Sequence, residues 1–150
     1  MNELKRILLA EDDKNDIELT LAALEEFNLA NEVDVVNDGK EALDYLHYNG
    51  KFTNRISVNP AVILLDIKMP KVTGLEVLKQ IKSDENLKMI PCVILTSSNQ
   101  EKDLVEGYKL GANAYVVKPV DFQEFIRTIK QLGLFWAVIN EPPPMSVKQK

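Results

Sequence analysis

The chain has 150 residues, 45% of them hydrophobic, and its 18 basic and 23 acidic side chains leave a net charge of −5. That length suits one domain with a real core, and the sign of the charge is wrong for a nucleic-acid binder. No apolar run approaches the ~20 residues of a membrane span, and the single cysteine, Cys92, excludes an internal disulfide.

A lone Cys in apolar surroundings is usually a small buried hydrophobe, and a reducing compartment fits it. The start, Met1 to Arg6, lacks the layout of a signal peptide. A soluble, cytoplasmic protein is expected.

The chain alternates short apolar runs with amphipathic segments, the pattern of an α/β fold with a parallel sheet. Strand one is expected over residues 5–10 and helix one over about 16–28, with Ile17, Leu21, Leu24 and Phe27 on one face. Strand two, residues 32–36, is more polar and suits a sheet edge. Asn37-Asp38-Gly39 signals a turn before helix two, Lys40 to about Tyr48.

A polar loop follows over residues 49–60, too poor in apolar residues to be a domain. Strand three, 61–66, carries the unbroken run Val62-Ile63-Leu64-Leu65 straight into Asp66. Such a run suits a strand buried on both faces. Pro70 lies beyond its end, and Gly74 opens helix three, with Leu75, Leu78 and Ile81 spaced for one face. Strand four is 92–96.

Ser98 and Glu101 have capping-box spacing for helix four, which Gly111 should end. Strand five is 114–117. Asp121 and Glu124 repeat the capping-box spacing for helix five, which turns Phe122, Phe125, Ile126, Ile129 and Leu132 to the core. Residues 133–139 are apolar on more than one face, and Pro142-Pro143-Pro144 leads into a polar tail. The expected division is one domain over 1–140 and a flexible tail over 141–150.

Each apolar strand hands its C-terminal end to residues that can do chemistry: Glu11-Asp12-Asp13, Asp66, Thr96, and Lys118 before Pro119. In open α/β sheets that edge is where ligands bind. Each feature alone has an ordinary reading. The acidic run could cap a helix, as Asp13 or Asp16 would, and Thr96 and Lys118 could be a plain strand residue and a solvated charge.

Their joint order is what points to a site. Carboxylates brought together repel one another unless a cation joins them. All-oxygen ligands with room for water suit Mg²⁺. A lysine and a hydroxyl beside them complete the minimum for phosphoryl transfer, which depends mostly on positioning and charge. The acceptor should be central and exposed, which selects Asp66 and leaves Glu11 and Asp12 to hold metal.

With these residues in view, the chain resembles the receiver domain of bacterial two-component response regulators over about residues 5–132. The markers are Ile7 to Asp13, Leu64 to Pro70 with Gly74, Leu95-Thr96-Ser97, Gly111-Ala112 and Lys118-Pro119. The resemblance implies a flavodoxin-like (βα)5 three-layer sandwich with a parallel five-stranded sheet in order 2-1-3-4-5.

It further implies that Asp66 is the phospho-acceptor. Asp12 would ligate Mg²⁺ directly, Glu11 through water, and Lys68 through its backbone carbonyl. Thr96 and Tyr115 match the switch pair, Lys118 matches the family's lysine, and the Lys118–Pro119 peptide would be cis. Lys68 and Ser98 occupy positions that gate the hydrolytic water in similar domains, with no clear net sign here.

No effector domain follows, so a stand-alone receiver is expected, phosphorylated by a sensor histidine kinase and catalysing nothing beyond its own phosphorylation and dephosphorylation. The loop at 49–60 and the Leu134-Phe135-Trp136 extension are also similar to the small regulators paired with bacterial phytochromes. Such relatives often dimerise through the face of helix four, strand five and helix five. Phe135 and Trp136 would either anchor that homodimer or fold back on their own domain.

Three rivals stand against this reading. A haloacid-dehalogenase-type phosphatase wants a second Asp where this chain has Lys68. A flavodoxin-like nucleotide or flavin binder wants a Gly/Ser/Thr-rich loop where it has Glu11-Asp12-Asp13. A degenerate receiver would lack part of the residue set. His47 has no second His or Cys nearby and suits neither metal binding nor a relay histidine.

Overall fold

The computed structural model describes residues 6–26, 32–55, 59–96 and 106–134. Five short strands, β1 (Ile7–Ala10), β2 (Val33–Val36), β3 (Val62–Asp66), β4 (Cys92–Thr96) and β5 (Ala114–Val117), form one parallel sheet in the order β2-β1-β3-β4-β5. Between them run α1 (Lys14–Glu25), α2 (Gly39–His47), α3 (Gly74–Ser83), α4, whose described helical part is 106–109, and α5 (Phe122–Gln131). This is the flavodoxin-like winding that the receiver resemblance implied.

Strand side chains alternate between the two faces, and the core divides accordingly. Leu8, Ile63, Leu65 and Ile94 meet Ala42 and Leu46 of α2 and Val77, Leu78 and Ile81 of α3. Ile7, Leu9, Leu64, Val93, Leu95 and Val116 meet Leu24 of α1 and Phe125 and Ile129 of α5. The sheet is therefore covered on both sides, which is why its central strands read as continuous apolar runs.

Helix starts are set by short polar caps. Asp13, Asp38, Thr73 and Asp121 each accept a hydrogen bond from the backbone N–H three residues on. The Asp121 cap is the one expected from spacing. Asp13 starts α1 two residues earlier than periodicity suggests, and Asp38 starts α2 at Gly39 rather than Lys40. The expected Ser98 cap and Phe27 lie outside the described residues.

The polar loop holds a short 3-10 turn, Gly50–Phe52. Arg55 stacks against the rings of Tyr45 and Tyr48 at 3.8 and 4.1 Å, and its Nε donates to the Tyr45 carbonyl at 2.7 Å. This pins the loop to the end of α2. Tyr45 in turn donates its hydroxyl to Asp34 of the edge strand, which also accepts from Arg6.

Candidate functional site

Register decides where the chemistry lands. Ala10 lies beside Leu65, Asp66 beside Leu95, and Thr96 beside Val117. Glu11, Asp66, Thr96 and Lys118 therefore leave four neighbouring strands at one level of one sheet edge. With Asp12, Asp13, Asp16, Ile67 and Lys68 they line a cavity of about 230 Å³.

Lys118 is the hub. Its Nζ lies 2.9 Å from Glu11 Oε1, 2.8 Å from Asp16 Oδ2 and 3.0 Å from Asp66 Oδ1. Its backbone N–H donates to the Thr96 carbonyl at 2.8 Å, and its peptide bond to Pro119 is cis. Glu11 is fully buried, and its second oxygen accepts from the Asp13 N–H at 3.1 Å. One oxygen each of Glu11, Asp12 and Asp66 lie within 4.8 Å of one another.

The electrostatics follow from burial. Desolvation raises the carboxyl pKa of both Glu11 and Asp66, and the hydrogen bonds from Lys118 offset only part of it. Burial alone would lower Lys118, but Asp16, Glu11 and Asp66 together carry it above the usual lysine range. The site holds more negative charge than it neutralises, a configuration that favours a cation.

Asp66 is central but only 5% exposed, more enclosed than an exposed acceptor would be. The Lys118 ammonium contacts it at 3.0 Å, and the strand that carries it is buried. Thr96 is also buried. Lys68 lines the cavity, whereas Tyr115 does not. Tyr115 is half-buried beside α4, its ring edge-on to Tyr108 with centroids 4.2 Å apart. Phe135 and Trp136 lie outside the described residues.

Two participants escaped sequence reasoning. Asp16 was legible as a cap candidate but not as a Lys118 partner; the available signal was its place three residues after the capping Asp13, in the first turn above the site. Gly74 packs directly on the acceptor's backbone: a Cβ there would sit 2.0 Å from the Asp66 carbonyl oxygen. Gly39 is equally tight against Val72, where a Cβ would meet the carbonyl oxygen at 1.8 Å. The loop leaving Asp66 is thus held between α2 and α3.

A parallel α/β sheet with an acidic, lysine-capped cavity at its strand ends is the arrangement of a receiver-type signalling domain, and the similarities to known proteins agree. The chain belongs to the response regulator receiver domain family, whose model matches residues 7–130. It is similar to the bacteriophytochrome response regulator RtBRR, with 62% identity and a TM-score of 0.83 over 97% of this chain and 88% of that one. The bacteriophytochrome response regulator AtBRR is 57% identical, also at TM-score 0.83, over 93% of this chain and 99% of that one.

Response regulator Rcp1 of Synechocystis sp. is 36% identical over 90% of each chain. A structure of Rcp1 in its Mn²⁺-bound form has TM-score 0.72 over 89% of this chain and 94% of that one. Receiver domains of this kind bind a divalent metal at the acidic pocket and are phosphorylated by histidine kinases. Among the described residues, no helix is long and apolar enough to cross a membrane.

Proposed function

We propose that this chain accepts a phosphoryl group on Asp66 from the phosphohistidine of a sensor kinase and transmits the event as a change of shape. The observation that carries the reading is the Lys118 ammonium set between Asp66 and Glu11 at the rim of a cavity with three carboxylates in reach of one ion. The oxygen donors fit Mg²⁺, which Asp12, Asp66 and the Lys68 carbonyl would hold directly and Glu11 would hold through water. When bound, the ion neutralises charge on the phosphoryl oxygens and lets an anionic carboxylate approach them.

An Asp66 oxygen attacks the phosphorus in line. The new O–P bond forms as the N–P bond of the phosphohistidine breaks, and the bonding pair returns to the imidazole nitrogen. Lys118 stabilises charge on the phosphoryl oxygens, and the Thr96 hydroxyl donates to one of them. Thr96 draws toward the new group and Tyr115 turns inward, so the face of α4, β5 and α5 changes. Gly107, where a Cβ would meet the Tyr115 hydroxyl at 2.5 Å, supports this by leaving room for that ring beside α4.

The kinase is phytochrome-like on this reading, supported by the similarity to two bacteriophytochrome regulators. A receiver domain acting as a signalling acceptor is supported by relatives that this domain spans over most of their length. The chain spans 90% of Rcp1 and 86% of the methanogenesis regulatory protein FilR2 of Methanothrix harundinacea.

Incubation with a phosphorylated histidine kinase or acetyl phosphate tests the core of it. Wild type should take up label in Mg²⁺ and fail to in a chelator, and Asp66→Asn should take up none. Undiminished labelling of Asp66→Asn refutes the assignment.

A further inference from the structure

Lys118 contacts one more carboxylate than the phosphoryl chemistry calls for. An ammonium has three N–H donors, and here Asp16, Glu11 and Asp66 are all within reach at 2.8–3.0 Å. A phosphoryl oxygen on Asp66 has to claim one of those donors, so one present contact must give way.

The three acceptors differ in how easily they can release. Glu11 has a fully buried side chain, and its other oxygen is tied to the Asp13 N–H. Withdrawing it would strand a buried charge, a costly outcome. Asp66 is the acceptor itself. Asp16 has 28% of its side chain exposed and lines the cavity. Its backbone is fixed by the Asp13 cap at 2.9 Å, so only the side chain has to turn out to water.

We propose, building on the reading of Asp66 as phospho-acceptor, that Asp16 is a positioning residue that holds Lys118 in the resting site and yields it to the phosphoryl group. Two consequences follow from its charge. While engaged, Asp16 shares the Lys118 ammonium with Glu11 and Asp66 and adds negative potential, which favours an incoming divalent cation. The same charge, and the same hold on the ammonium, oppose an incoming anion. Asp16 therefore sets cation and phosphoryl binding against each other.

That opposition distinguishes positioning from a structural role, since damage to the site weakens both ligands. Asp16→Asn keeps the shape, Asp16→Ala removes the contact, and Asp16→Glu keeps the charge. On the full chain, calorimetry with Mg²⁺ alone should show binding weakened roughly two- to fivefold in the first two variants. Fluoroberyllate, a phosphoryl mimic, should bind tighter by a similar factor at saturating Mg²⁺, about what one partly exposed charge contributes. Asp16→Glu should stay near wild type in both.

Weakening of both ligands, a change in neither, or reversed signs overturns the inference. Asp66→Asn run in parallel separates the two claims. Fluoroberyllate binding that survives in Asp66→Asn defeats the phospho-acceptor reading itself. Binding lost there but unaltered in Asp16→Asn defeats only the role of Asp16.

Discussion

Gly74→Ala should damage the protein out of proportion to one methyl group. The added Cβ would lie 2.0 Å from the Asp66 carbonyl oxygen, 2.8 Å from Ile67 Cα and 2.9 Å from the Asp66 carbonyl carbon. All three are backbone atoms, so no side chain can rotate aside. Overpacking typically costs about 1–3 kcal/mol. Alanine's better helix propensity returns at most about 1 kcal/mol, and a clash confined to backbone belongs at the upper end of the range. A net loss of about 2 kcal/mol is expected, worth a urea midpoint shift of about 1 M at an m-value of about 2 kcal/mol/M.

The strain also displaces the residue that carries Asp66, so phosphoryl labelling should fall further than the lost stability explains. Gly133→Ala is the control. Nothing lies within 4 Å of its added Cβ, and φ is +73°. It should cost about 1 kcal/mol for the left-handed backbone alone and leave labelling unchanged. A Gly74→Ala protein within about 0.5 kcal/mol of wild type, the range of an ordinary surface substitution, would refute the packing argument.

Two further outcomes concern groups away from the cavity. Burial alone would raise the Asp34 carboxyl, but hydrogen bonds from Arg6 and Tyr45 hold it below the usual range. A lowered folded pKa contributes stability above the unfolded value of about 3.9, lost as pH falls through the folded value. Asp34 is a third exposed, so Asp34→Asn should cost no more than about 1 kcal/mol at about pH 7, with the gap narrowing as pH falls below the unfolded value of about 3.9; a gap in denaturant melts that stays constant as the pH is lowered through that range counts against it. Burial lifts the Cys92 thiol to about 11, so iodoacetamide at about pH 8 should modify native protein at least ~100-fold more slowly than urea-unfolded protein, and comparable rates by mass spectrometry would show the strand to be open.

The fold was readable because its three central strands are apolar on both faces and its helices are not. Val62 to Leu65 had no solvent side to alternate with, and each strand end coincided with a change to polar residues. That placed Glu11, Asp66, Thr96 and Lys118 at a common edge before any coordinates. What stayed hidden depends on contacts that one-dimensional spacing does not encode. Asp16 reaches Lys118 only because α1 starts at Asp13. Gly74 and Gly39 read as helix openers, while their tight packing on Asp66 and Val72 arises from how three separate elements meet. The enclosure of Asp66 was also missed, because exposure at a strand end is set by the lysine folded over it.

The division of strand residues between two oil layers has a consequence for the accuracy of the acidic rim. Moving β3 along its neighbours by a single step would shift Asp66 by about 3.3 Å along the strand relative to Lys118 and at the same time send Leu65 and Leu64 to the wrong helices. Misalignment of the reacting groups is thereby coupled to the exchange of every buried aliphatic on that strand. The ångström-level placement of a charged centre is in this way underwritten by greasy side chains that take no part in its chemistry.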